Sequence, residues 1–506
     1  MEKKLSKIVG LSFDDFKKHV KAGDIKLRNA HLIPTLKVGD EMALTSVLLS
    51  SMRMVKEFRS HIKSDIKMSK GGSFHAFTEV EFPEFKDCRV DGLFLVVKAG
   101  IIKDAALMEL KKGNNPIEQI QIEKYVEIAK KFNIPKLVTV SNEYVSEPSQ
   151  HPLCIKTPKG LDLYHFSWSY LLTISHLLLF KNDMNIEDED QVEIMKEVVS
   201  YFEHDRSGIC GFNQMKKGWS KTVEDINAGT LLRSDDKMVR EAVLSWQQEE
   251  RDIALMLSRK LGVLVKSGDK KYKESYSKRI EDDTKELLIN KHLYSTFSID
   301  GAVSDVYSKA LLKERTIEMC VNLKVPKNKT LKGQIGWIRK QFDFCEKKSP
   351  KIYAKNQTEY LVEVLIKNVS KPVRVNLKSI DMLNQELAGK EIRECKIIQL
   401  KDFGKSFSSR AKFVIGIEQM IQDFYSGVVE NLKKWEPSAP KLKKESKNED
   451  STMIDTDPED IYPTNASEKV EPIKAPEQIA ISHDSGQNNE YESETESHSK
   501  EAKDAA

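Results

Sequence analysis

Between Arg89 and Gly113 the chain reads RVDGLFLVVKAGIIKDAALMELKKG, an apolar run that carries Asp91 and a Glu109-Leu110-Lys111 triplet. Side chains alternate faces along a strand, so Glu109 and Lys111 share a face with Leu107, while Met108 and Leu110 take the other. A hairpin through VKAGIIKD brings the strand bearing Asp91 alongside, and two carboxylates and an ammonium can then converge at one end of a sheet. Carboxylates brought together repel, and burial penalises each, unless a cation neutralises them. Oxygen ligands without cysteine or histidine select Mg²⁺ or Mn²⁺ over zinc. A lysine beside such a pair can orient an attacking water or help remove its proton, while the cation stabilises charge growing on a phosphate oxygen. That combination suits phosphodiester hydrolysis. The plain alternative for Lys111, Lys112 and Gly113 is a strand end turning into solvent.

These residues need elements to position them. The segment VGDEMALTSVLLSSMRMVKEFRSHI has apolar residues at helical spacing (Met42, Val47, Leu48, Met52, Val55, Phe58), with Gly39-Asp40 as its start. Alternation then predicts strands over 75–82, 89–98 and 104–111, a helix opened by Pro116, and a strand over 136–141. The order is αβββαβ. It continues through LDLYHFSWSYLLTISHLLLF, read as a short strand leading into a buried helix.

Glu41 on the first helix, Asp91 on the second strand and Glu109-x-Lys111 on the third, within this order, resemble the PD-(D/E)xK nuclease superfamily and its restriction-endonuclease-like core. QIEKY adds Gln121 and Tyr125, similar to the Q-x-x-x-Y motif of the RecB-type and lambda-exonuclease-like branches. Four apart, these two share a helix face. Val90 stands where the family name has proline, a departure common in the superfamily. The resemblance implies that Asp91, Glu109 and the Leu110 carbonyl hold the metal with help from Glu41. It further implies that Lys111 acts on the water and that Gln121 and Tyr125 position substrate or Lys111. Two bland readings stand beside it: Glu41 also suits a helix N-terminus, where the dipole favours an acid, and Tyr125 also continues a core stripe of Ile117, Ile128 and Phe132.

Over 506 residues the length predicts several domains. The pattern divides them into a nuclease-like domain at 1–185, a helical domain at 186–299, a C-terminal α/β or α+β domain at 300–435, and a disordered acidic tail at 436–506. The later domains are similar to uncharacterised bacterial proteins that carry such a nuclease-like module. Residues 1–440 hold 73 Lys and Arg against 61 Asp and Glu, whereas residues 441–506 hold 8 against 17, so a basic body precedes an acidic tail. A basic body favours polyanionic partners, although lysine-rich solubility explains it nearly as well. The longest apolar stretch, SYLLTISHLLLF, is 12 residues and too short to cross a bilayer. The N-terminus lacks the apolar core of a signal peptide. Cys88, Cys154, Cys210, Cys320, Cys345 and Cys395 form no CxxC pair, which disfavours zinc or a disulfide scaffold and predicts a reducing cytoplasm. No phosphate-binding P-loop and no metal-spaced histidine pair occurs.

A lysine- and arginine-rich segment, residues 324–351, predicts a helix with Leu331, Ile335, Ile338 and Phe342 on one face. Lys327, Lys329, Lys332, Arg339 and Lys340 are then candidate phosphate contacts, or simply a solvated face. The expectation is a cytoplasmic Mg²⁺- or Mn²⁺-dependent nuclease acting on DNA before RNA, in bacterial defence, restriction or repair. It has no membrane partner, and self-association into a homo-oligomer is left open. The rivals are a nucleic-acid-binding protein that does not cut and a stress-response scaffold.

Overall fold

The computed structural model describes residues 5–29, 40–86, 88–113, 115–145, 147–153, 155–180, 185–272 and 275–435. The expectations for the tail at 436–506 and for Cys154 lie outside the described residues. Among the described residues the chain is a mixed α/β protein built on two sheets.

The first half of the chain runs α1 (Phe13–Ala22), β1 (Lys26–Asn29), α2 (Glu41–Met54), α3 (Lys56–Asp65), β2 (Ser73–Glu81), β3 (Arg89–Lys98), β4 (Ile101–Leu110), α4 (Gln119–Lys131), β5 (Lys136–Ser141), β6 (Asp162–Ser167), α5 (Trp168–Leu179) and α6 (Glu189–Glu203). Strands β1 to β6 form one sheet in sequence order, antiparallel from β1 to β4 and parallel from β4 to β6. The parallel step from β4 to β5 crosses over through α4, as parallel neighbours require. β3 and β4 are near-continuous apolar runs because both their faces are covered. Leu93, Leu107, Ile122 and Ile128 pack on the α4 side. Leu48, Phe94, Met108 and Trp168 pack on the opposite side, under α2, α5 and α6.

The β3–β4 turn consists of Ala99 and Gly100 at φ 52° and 73°, the paired positive angles of a two-residue hairpin that matches strand twist. Lys98 therefore pairs with Ile101, and β4 begins earlier than the predicted 104. The single helix predicted from residue 42 past Phe58 is instead two, because Val55 is extended (φ −102°, ψ 109°). Arg59 reaches back to donate to the Met52 and Arg53 carbonyls (3.0 and 2.8 Å), satisfying groups that the break leaves without helical partners.

The second half runs α7 (Lys217–Asn227), α8 (Lys237–Leu261), β7 (Lys266–Ser267), α9 (Tyr276–Asn290), β8 (His292–Ser298), β9 (Val306–Leu311), β10 (Thr316–Leu323), α10 (Leu331–Lys348), α11 (Pro350–Asn356), β11 (Tyr360–Ile366), β12 (Val373–Asn376), α12 (Met382–Glu386), β13 (Ile392–Asp402) and α13 (Arg410–Gly427). Its strands form an antiparallel sheet in the order β12-β11-β13-β10-β9-β8-β7. Residues of α7, α8, α10 and α13 share one core with this sheet, centred on Trp219, Trp246 and Phe413. α8 also reaches the first sheet's core: Asp252 accepts hydrogen bonds from the Tyr144 hydroxyl (2.9 Å), the Ser169 hydroxyl (3.2 Å) and the Phe212 amide (2.8 Å). No helix among the described residues is long and apolar enough to cross a membrane.

Candidate active site

Pairing of Gly92 with Met108 sets the register of β3 on β4, and one step further along brings Asp91 beside Glu109. The Leu110 amide donates to Asp91 Oδ2 at 2.8 Å, fixing the Asp91 side chain across the strand gap. Lys111 follows at the end of β4, with its Nζ 2.7 Å from Glu109 Oε1. Its backbone is held from both sides: its amide donates to the Val140 carbonyl (2.8 Å), and its carbonyl accepts from the Trp168 indole (2.8 Å).

Two buried carboxylates on β4 invite comparison. Asp104 is fully satisfied, with the Lys136 ammonium 2.9 and 3.1 Å from its two oxygens and with bonds from the Ser69 and Ala105 amides. Glu109 is more deeply buried, at 1% exposure. Despite the nearby Lys111, neither Glu109 oxygen receives a hydrogen bond of normal geometry. Burial, and then the adjacent Glu109 carboxylate, hold the Asp91 carboxyl well above its ordinary range. Burial alone would lower the Lys111 ammonium, but Glu109, Asp91 and Glu41 outweigh it and raise it above its usual value. The site is thus a partly compensated pocket of negative charge.

Gly92 explains how α2 comes close. A Cβ there would meet Leu49 Cδ1 at 2.8 Å and Met108 Cβ at 3.2 Å, so glycine lets the helix approach the sheet without displacing either side chain. The approach sets Glu41, the first residue of α2, at the end of β4. There its Oε1 accepts from the Lys112 amide (3.2 Å) and the Asn115 side chain (3.0 Å). Glu41 is therefore anchored to the chain beyond Lys111. No group of three or more His, Cys, Asp or Glu side chains placed to hold a metal ion occurs among the described residues.

On the α4 side, the Tyr125 hydroxyl donates to the Arg89 carbonyl (2.9 Å) and accepts from the Gln121 amide (2.8 Å). Tyr125 is buried at 1% exposure. Its pKa is raised by that burial and by the charges of Glu109 and Asp91, so it stays a neutral phenol beside them. Gln121 and Tyr125 thus act as one unit, bracing the start of β3 two residues before Asp91.

Several neighbours escaped the sequence reading. Glu79, at φ 55°, lies across from Asp91 between the pairs Thr78–Gly92 and Val80–Val90, and its Oε2 is 2.8 Å from Arg89 Nε. An acid inside the apolar FTEVEF run is the same signal that marks Asp91. Thr139 pairs with Glu109 across β4 and β5, and Thr139 Oγ lies 2.9 Å from His151 Nε2 and 2.8 Å from His165 Nδ1. The His165 Nε2–H donates to the Glu143 carbonyl (2.9 Å), which fits one neutral tautomer, and His151 Nδ1 lies 3.1 Å from the Leu153 amide and 3.3 Å from its carbonyl. Burial pushes His165 down to about 3 and His151 down to about 4. The polar row thus continues across the sheet with uncharged groups.

The residue types fit a hard cation: two adjacent carboxylates, one of them buried without aligned donors, and no soft ligand. The basic candidates lie elsewhere, on and before α10. Lys327, Lys329, Lys332, Arg339 and Lys340 are all exposed, while Ile335, Ile338 and Phe342 are buried. Arg339 is paired with Asp381. Comparison with protein-family models, curated proteins and solved structures finds no match to this chain.

Proposed function

We propose that the chain is a metal-dependent nuclease that hydrolyses phosphodiester bonds, with DNA as its substrate in preference to RNA, and that its first sheet is a restriction-endonuclease-like core. The observation that carries this reading is the contrast along β4, where Asp104 is fully compensated and Glu109, buried beside Asp91, is left without an aligned donor. Native folds rarely tolerate such a group without a role.

In this reading Asp91, Glu109 and the Leu110 carbonyl hold Mg²⁺ or Mn²⁺, and Glu41 assists from the end of α2. When bound, the cation neutralises charge that develops on the phosphate. Lys111, kept as an ammonium by its acidic neighbours, orients the attacking water and offsets phosphate charge; it is a poor base in that state. Tyr125 and Gln121 brace β3 so that Asp91 keeps its place. The exposed cations of α10 supply contacts to the substrate backbone. Defence, restriction or repair in a bacterial cytoplasm is the setting that suits such an activity.

A second reading, a protein that binds nucleic acid without cutting it, is favoured by the Lys111 ammonium 2.7 Å from Glu109 and by Glu41's engagement with the Lys112 backbone. Incubating the protein with plasmid, linear duplex, single-stranded DNA and RNA, in Mg²⁺ or EDTA, separates the two. Cutting that needs the cation and vanishes in Asp91→Ala supports the nuclease. Salt-dependent binding with no cutting of any substrate supports the second reading and refutes the first.

A further inference from the structure

A cavity of about 450 Å³, with none of Asp91, Glu109 and Lys111 in its lining, is walled by α3, α5, α8 and α9 and by the chain around β7. Two arginines line it, and they are treated differently. Arg279 is neutralised by Glu250 and by Asp283 at 3.4 Å, and these carboxylates raise its pKa against the pull of burial. Arg251 has no carboxylate within ion-pair distance among the described residues, and its Nε is inaccessible and without a hydrogen-bond partner. The face of Tyr170, 5.4 Å from the guanidinium, is its aromatic contact. Burial lowers the Arg251 pKa, and the charges of Tyr170, Glu147, Asp65 and Glu250, none of them at ion-pair distance, offset that only in part. A guanidinium on a cavity wall without an ion-pair partner is where an anion can add the paired charge-assisted hydrogen bonds that the fold leaves unmade.

Two more polar atoms on the same lining are buried without partners, Ser267 Oγ and Gln150 Oε1. Arg251, Ser267 and Gln150 thus place a guanidinium, a hydroxyl residue and an amide residue in the wall of one space. Tyr170, Tyr272 and Tyr276 supply aromatic walls. The lining also carries Asp65, Glu147 and Asp269. Those acids repel a polyanionic strand but accept hydrogen bonds from hydroxyl or amine groups. The volume is that of an ordinary small-molecule site, on the order of a few hundred Å³.

We propose that this cavity binds a small molecule carrying one oxyanion group, held by Arg251, together with hydroxyl or amine donors and a flat ring. A phosphate on a mononucleotide and the carboxylate of an aromatic amino acid share this chemistry. Titration calorimetry on the full chain tells them apart, using adenosine and guanosine 5′-monophosphate, tryptophan, tyrosine and inorganic phosphate as probes. The expected result is binding of one class with Kd below about 1 mM, weakened at least about tenfold in Arg251→Met and measurably in Ser267→Ala. In ligand-free buffer Arg251→Met is expected to melt no lower than the parent, because it removes a charge without a partner. Absence of binding by every probe overturns the proposal. So does equal binding by Arg251→Met, or a large loss of stability in that variant combined with unchanged affinity in Ser267→Ala, which would make Arg251 a structural partner of Tyr170.

Discussion

Replacing Glu109 with glutamine tests whether this carboxylate is kept at a cost to the fold. In the parent it is 1% exposed, lies beside Asp91 and has no aligned donor on either oxygen. Glutamine converts one oxygen into an N–H donor able to bond the Asp91 carboxylate. A hydrogen bond to a charged group contributes about 1.5–3 kcal/mol. Against this stands the loss of the Lys111 contact at 2.7 Å. Lys111 retains 16% exposure and can turn toward solvent, which limits that loss to about 1 kcal/mol. Glu109→Gln should therefore be more stable than the parent by about 0.5–2 kcal/mol in EDTA. A divalent cation should reverse the order: at about a hundred times its Kd it stabilises the parent by about 2.7 kcal/mol and leaves the variant unmoved. Denaturant midpoints of both proteins, in EDTA and in Mg²⁺, supply the comparison. A variant less stable than the parent in EDTA, with a parent indifferent to Mg²⁺, would refute the reasoning and make Glu109 an ordinary partner of Lys111.

Gly92→Ala should cost about 1–3 kcal/mol by overpacking, since its Cβ would sit 2.8 Å from Leu49 Cδ1, and it should weaken the Mg²⁺ response by lifting α2 from the sheet. Unchanged stability would show that α2 does not rest there. His165 and His151, pushed down to about 3 and about 4, stay neutral in the fold but take protons near 6.5 when unfolded. Stability should fall as pH drops below 6.5, by up to about 1.4 kcal/mol per unit for each, and His165→Gln should flatten that fall. The alkaline side has the opposite sign. Glu249 is fully buried with neither oxygen partnered, and burial, with Asp252 and Glu418, raises its pKa well above normal, while burial pushes Glu418 up to about 7. Both release protons near 4.5 when unfolded but hold them in the fold, so their contribution is full below 4.5 and is lost as pH rises, for Glu418 through about 7. Glu249→Gln should therefore gain more over the parent at pH 8 than at pH 5 in urea melts, and equal gains at both would contradict this.

The β3–β4 hairpin could be read from the sequence because a period of two and a short Ala-Gly turn leave few ways to place Asp91 and Glu109. The Glu109–Lys111 contact follows from the same periodicity. The break at Val55 could not be read, since it depends on Arg59 capping carbonyls six and seven residues back. β8 and β9 fell in or beside a stretch expected to be helical, because the buried positions of their alternation include Ser295 and Ser308, which hide the apolar period. Glu41 directly follows Asp40 at the helix start in either reading, but its tie to the Lys112 amide is a tertiary fact. The Arg251 cavity is wholly tertiary: residues from 61 to 298 line it, and no local pattern connects them.

The central claim is that Asp91, Glu109 and Lys111 form a working hydrolytic site, and the rate of strand cleavage by Lys111→Ala relative to the parent is its most direct measure. With excess enzyme on a labelled linear duplex in Mg²⁺, the parent should cut and the variant, still folded and still binding duplex, should cut about 10²–10³-fold more slowly. Cleavage by the variant at the parent rate, or no cleavage by a folded parent in Mg²⁺ or Mn²⁺, would contradict the claim.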